Sequence, residues 1–137
     1  MAESLLRISN TDDTRHLLQG ELLAIQKGLE FIENKSFGAG SIKGTYRGYV
    51  NSDGEREGVG VTIFDDGDKG YAEYHNNELH GIAKIKWADG NSYLGEVKHH
   101  CNDGYGTFYW GDTGETYTGQ FKNGKGNGYG VYTWPDG

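Results

Sequence analysis

A single cysteine, Cys101, rules out an internal disulfide and fits a reducing compartment. No apolar run approaches the ~20 residues of a membrane-spanning helix. Leu5-Leu6, behind Glu3, is too short for a signal-peptide core. Hydrophobic residues make up only 34% of the chain, which argues against a deep aliphatic core. Positive charge is also scarce. The net charge is −7, and residues 46–137 carry 8 Lys and Arg against 14 Asp and Glu. A nucleic-acid footprint needs concentrated positive charge, so no nucleic-acid partner is expected. The same acidity disfavours direct contact with anionic lipid.

What is abundant is glycine, at 24 residues, together with ten tyrosines in a 13% aromatic content. Thin sheets with rings lying over glycines suit such a composition. Residues 117–137 give the pattern. Tyr117, Gly119 and Phe121 alternate with Thr118, Gln120 and Lys122, as in a strand. Residues 123–128, Asn-Gly-Lys-Gly-Asn-Gly, read as a turn, because Asn and Gly accept positive φ cheaply. Residues 129–134 are the return strand, and Pro135-Asp136-Gly137 is a second turn.

This unit recurs. Gly58-Val-Gly60, Gly81-Ile-Ala83, Gly104-Tyr-Gly106 and Gly128-Tyr-Gly130 are spaced by 23, 23 and 24 residues. Asp66-Gly67, Asp89-Gly90 and Asp136-Gly137 follow them, and Asp112-Thr113-Gly114 carries one inserted residue. Tyr46-x-Gly48, Tyr93-x-Gly95 and Tyr117-x-Gly119 open three units, whereas Gly70 and Ala72 hold those places in the second. A fixed period of 20–50 residues signals a stacked array. One face of the return strands ends in Phe64, Trp87, Trp110 and Trp134, above the small residues Gly60, Ala83, Gly106 and Gly130. Each of these large rings is expected to lie over glycines of a neighbouring hairpin. The other face is mixed. Its first unit, Val59-Val61-Ile63, is the most aliphatic, while Tyr105, Tyr109 and Tyr129 mark the later ones.

Ahead of the repeats, Thr11-Asp12-Asp13-Thr14 supplies a helix start. Leu18, Leu22, Ile25, Leu29 and Ile32 recur at helical spacing, predicting an amphipathic helix over about 12–34. Glu21, Glu30 and Glu33 would lie on its polar face with Lys27 and Lys35. Capping the adjacent sheet, a coiled-coil seam and a membrane-surface helix are the roles weighed for it.

These residues carry a resemblance to the MORN repeat family (membrane occupation and recognition nexus), whose pattern is roughly Y-x-G-x-W/F-x-x-G-x-x-x-G-x-G-x-x-x-W/F-x-D-G. Residues 117–137 resemble it closely, residues 93–114 well, and residues 46–67 well apart from one extra residue. Residues 70–90 resemble it mainly in Glu78-Leu-His-Gly81 and Trp87-Ala-Asp-Gly90. The resemblance implies an elongated row of antiparallel β-hairpins, mainly β, with eight strands spanning about 38 Å. It also implies scaffolding roles in cytoskeletal, ciliary or membrane-junction assemblies, or a regulatory segment ahead of an enzyme. Some arrays of the family hold a partner helix.

The glycines of residues 124–130 lie inside a hairpin with no helix to follow, unlike a phosphate loop. His99, His100 and Cys101 are consecutive, so their side chains diverge rather than converge on a metal. Asp66, Asp89, Asp112 and Asp136 recur as turn residues, not as a facing pair. No catalytic residue, metal or cofactor is expected.

The chain therefore reads as a helical segment over 1–37 and a hairpin array over 38–137. The array is expected to be cut short at its C-terminal end, since another Tyr-x-Gly would normally follow residue 137. The expected function is a non-enzymatic scaffold binding a protein partner, for instance a helix. Trp87, Tyr93, Trp110, Tyr117 and Trp134 would line one aromatic face, and Tyr105, Tyr109 and Tyr129 the other. The alternatives are a regulatory head of an enzyme such as a phosphatidylinositol phosphate kinase, and peripheral membrane or phosphoinositide binding. A cytoplasmic location is expected, with cytoskeletal or membrane association. Self-association through the helix or an open sheet edge is also open.

Overall fold

Alternating small and aromatic residues build one sheet, seen in a computed structural model that describes residues 6–39 and 42–135. Its nine strands are β1 (Glu30–Ala39), β2 (Ile42–Val50), β3 (Arg56–Phe64), β4 (Lys69–His75), β5 (Glu78–Lys86), β6 (Ser92–Lys98), β7 (Cys101–Tyr109), β8 (Thr116–Lys122) and β9 (Lys125–Thr133). They run antiparallel in sequence order, each paired with the next.

Two-residue turns close three of the hairpins. Asn76-Asn77, His99-His100 and Asn123-Gly124 all have positive φ at both positions, which matches the twist of the strands they join. The six-residue turn expected over 123–128 is thus only two residues long, and β9 begins at Lys125. The loops between hairpins repeat as well. Phe64, Trp87 and Trp110 donate their amides to Asp68, Asn91 and Glu115, and the third loop absorbs the inserted residue.

The helix differs from expectation at both ends. A 3-10 turn, Arg15–Leu17, leads into α1 (Leu18–Lys27). Thr14 does not cap it: its hydroxyl donates instead to the Ile8 carbonyl. Gly28, at φ 73°, closes the helix, with the Gly28 amide on the Ile25 carbonyl and the Leu29 amide on the Ala24 carbonyl. That pair of bonds is a Schellman stop, which glycine makes without steric cost. The chain then enters β1 in place of the last two turns of the expected helix, giving a ninth strand. The strand register turns Phe31 to one face, where it packs edge-on against Tyr49, and Ile32 to the other. The residues named as one helical stripe are therefore divided. Leu18 and Ile25 are half-buried on α1, Leu22 is 41% exposed, Leu29 is in the link, and Ile32 is in β1. The line that docks is Leu17, Glu21 and Ala24, with Gly20 against Val59.

Each face of the sheet has its own core. α1 sits on the aliphatic face, over Tyr49, Val59 and Val61. The glycine-aromatic face holds Tyr46, Ala72, Tyr74, Ala83, Tyr93, Tyr117 and Phe121 with no helix on it among the described residues.

Candidate functional site

The glycine-aromatic face is built by one device used three times. Tyr46 lies over the facing pair Gly48 and Gly60, Tyr93 over Gly95 and Gly106, and Tyr117 over Gly119 and Gly130. A Cβ at Gly60, Gly106 or Gly130 would collide with the ring above it. Each tyrosine hydroxyl donates to the carbonyl three residues on, at Tyr49, Glu96 and Gln120. Those carbonyls belong to a β-bulge that interrupts the first strand of every hairpin. Burial pushes the Tyr93 hydroxyl up to about 12. The G-x-G element therefore has two jobs. Gly58, Gly81, Gly104 and Gly128 supply positive φ beside the bulge, and the second small residue makes room for the ring. The rings over glycine are the tyrosines of the same hairpin, not the tryptophans of a neighbour.

The second hairpin breaks the device in a compensated way. Gly70 stands where the tyrosine would be, and the facing pair is Ala72 and Ala83. The two methyls occupy the far half of the missing ring's place. Above Gly70 itself nothing lies within 4 Å of where a Cβ would be. This recess opens into a groove of about 470 Å³ walled by Phe64, Tyr74, Ile85 and Trp87. The same groove touches Phe37 of β1 and Asn102 of β7. In a flat sheet those strands would stand about 29 Å apart, so the sheet curls around this face.

Arg56 lies at the groove, its guanidinium 4.6 Å from the Tyr74 ring centre and 5.5 Å from that of Phe37. Nε and Nη2 donate to Asn77. Among the described residues neither Arg56 nor Lys69, which also lines the groove, has a carboxylate partner. Asp68, the only acid on the lining among the described residues, accepts from the Ala88 amide at 2.7 Å.

The tryptophans form a row that starts at the groove wall and runs to the end of the sheet. Trp87 packs on Phe108, Phe108 on Trp110, Trp110 stacks on Tyr132 at 14°, and Tyr132 on Trp134 at 27°. Trp134 is 52% exposed and Trp87 and Trp110 are half-buried. Tyr93 and Tyr117, expected to touch a partner, are 1% and 9% exposed and form the floor of the sheet instead. Tyr105, Tyr109 and Tyr129 are exposed on the opposite face, beyond the reach of α1. Neither Arg56 nor the Gly70 recess stands out as a site feature in the sequence. The signal was there in Gly70 and Ala72, but its meaning needed the register that sets Ala83 opposite Ala72.

Under α1 lies the other unforeseen feature. Glu21, expected on the polar face, is fully buried and anchors the segment before the helix. It accepts from the amides of Arg7, Ile8 and Ser9, the Ser9 hydroxyl and the Tyr49 hydroxyl, all at 2.8–3.0 Å. Burial alone would raise its pKa. The Ser9, Arg7 and Tyr49 donors outweigh this and hold it below the ordinary value. Nearby, Lys84 and Lys86 both reach Asp13, at 3.0 and 2.8 Å, lowering its carboxyl to about 2.

His99 and His100 form the β6–β7 turn, and Cys101 is exposed at the start of β7. Among the described residues no three His, Cys, Asp or Glu side chains gather at one point.

Comparison with known families gives the MORN repeat, matched at residues 52–69, 72–92, 102–115 and 117–137. No curated protein gives a match to the chain.

Proposed function

Because the chain belongs to the MORN repeat family, we propose that it is a non-enzymatic scaffold or adaptor that holds a segment of a protein partner on its glycine-aromatic face. One observation carries the reading. The chain's own helix lies on the opposite face, while Trp110, Tyr132 and Trp134 form an open stack on this one. Aromatic side chains bury much area with little rotamer freedom to lose, so an uncovered stack favours a partner's apolar side chains. An amphipathic helix laid along the curled sheet is the partner element that suits it. The reading goes with work in the cytoplasm on cytoskeletal or membrane-linked assemblies. Direct binding to acidic lipid is less favoured: Lys84 and Lys86, the adjacent cations on the helix side, are both engaged by Asp13. A regulatory role ahead of an enzyme domain uses the same face and differs only in what it is joined to.

Panning displayed random peptides of roughly four helical turns against the whole chain tests the proposal. Recovered peptides should lose at least ~10-fold in affinity when Trp110 and Trp134 are both replaced by Ser. Equal binding to the double variant would put the contact elsewhere and defeat the reading.

A further inference from the structure

We propose that the recess over Gly70 is a socket for one large aromatic side chain of an acidic protein segment, with Arg56 receiving the carboxylate beside that side chain. This deepens the reading of the glycine-aromatic face as a protein-binding surface and rests on it.

The recess is defined by the repeat itself. In three hairpins a tyrosine fills this position, and in two of them it also splices one repeat to the next. Tyr46 packs edge-on against Tyr74 at 5.5 Å, and Tyr93 against Phe121 at 5.1 Å. At Gly70 the chain supplies no ring, yet the surroundings remain those of a ring. Phe64, Tyr74 and Trp87 wall the space, and Thr62 and Ile85 flank Gly70 in register. Such walls favour an aromatic guest, since edge-to-face contacts add to plain burial. The guest cannot copy Tyr46 fully, because the facing pair here is Ala72 and Ala83, whose methyls take the room that glycines leave. It must seat over Gly70 and point out along the groove, which is where a side chain entering from a separate segment would come from.

Charge complementarity gives the rest of the occupant's chemistry. The whole chain is −7, but this groove is not acidic. Among the described residues its lining carries the cations Arg56 and Lys69, the imidazole of His100 and one carboxylate, Asp68, which accepts from the Ala88 amide. The Arg56 guanidinium lies 4.6 Å from the Tyr74 ring centre, is half-buried and, among the described residues, donates only to Asn77, so it has N–H groups left to give an incoming carboxylate a charge-assisted hydrogen bond. A basic guest would meet the two cations and be repelled, and an acidic guest would be steered in.

The test uses the whole chain and a minimal probe, indole-3-propionate, followed by amide chemical shifts. Tryptamine, with the same ring and the opposite charge, and propionate, with no ring, are the controls. Saturable shifts are expected at Gly70, Phe64, Trp87 and Arg56. Tryptamine should bind at least ~10-fold more weakly, and propionate should give no saturable shift. Gly70→Phe should fill the socket and abolish the shifts. Gly70 is not in the left-handed region and has open space above it, so this variant keeps the fold, which its amide spectrum checks directly. Arg56→Gln should erase the preference over tryptamine, and Arg56→Lys should restore part of it. Equal binding of tryptamine, or survival of the shifts in Gly70→Phe, overturns the proposal. Shifts confined to Trp110, Tyr132 and Trp134 overturn the socket but leave the face as the binding surface. No shift anywhere on the face up to roughly 10 mM removes both.

Discussion

Glu21 is a fully buried carboxylate and, among the described residues, without a salt-bridge partner, held by backbone amides and two hydroxyls. Replacing it with Gln turns one acceptor into a donor facing donors. The loss at neutral pH should be about 2–4 kcal/mol, read from the urea midpoint. The pH dependence has a definite sign. The folded pKa lies below the ordinary 4.5, so the carboxylate's contribution is complete above 4.5 and lost as pH falls through the folded value. The gap between wild type and Glu21→Gln should therefore narrow in acid. A gap that stays constant from pH ~7 to pH ~3 would refute the charged-anchor account. Two glycines make a second contrast. Gly106→Ala drives a Cβ into the Tyr93 ring and should cost about 1–3 kcal/mol. Gly70→Ala meets open space at an ordinary φ and should stabilise by about 0.4–1 kcal/mol, through the unfolded chain. Urea midpoints moving the same way for both would contradict the ring-over-glycine device.

At the scale of elements, the decisive residue is Gly28. Its left-handed φ ends α1 and releases the following residues to pair with β2. A Cβ there would touch nothing within 4 Å, so Gly28→Ala isolates the backbone term. The expected cost is about 1–2 kcal/mol, measured as a fall in thermal or urea midpoint. No loss would mean that pairing of β1, and not the Schellman stop, sets the helix end. The spacing of Leu18, Leu22, Ile25, Leu29 and Ile32 fits one helical stripe only while this glycine is overlooked. Phe31 and Ile32 fit a strand equally well, and pairing with β2 decides between the two periods.

Over the whole molecule, stability is unevenly spread. The middle strands have α1 on one face and the packed tyrosines on the other, whereas every described residue of β9 is exposed. An array in which each hairpin leans on its neighbours should open from its less covered end. Hydrogen exchange should be slowest in β3–β5 and fastest in β9. Uniform protection across the nine strands would indicate that the sheet unfolds only as one unit.

The sequence by itself determined the hairpin period, the alternation along the repeat strands and the glycine columns; that tyrosines and not tryptophans lie over those glycines, that the 123–124 turn is two residues long and that Glu30–Ala39 adds a ninth strand came from the tertiary structure. Each of these sequence features is local: a glycine or an alternation acts within one hairpin and recurs every 23 residues or so. The tertiary structure alone decided which face α1 covers, which rings are floor and which are surface, and where the groove lies. Those outcomes depend on residues far apart in the chain. Glu21 reads as a polar-face residue until Tyr49 and the amides of residues 7–9 close around it. Gly70 reads as a lapse in the repeat until the register sets Ala83 opposite Ala72 and the curl of the sheet brings Arg56 to the same groove. Local periodicity cannot encode such meetings, because burial and charge pairing are settled only when the strands have taken their places.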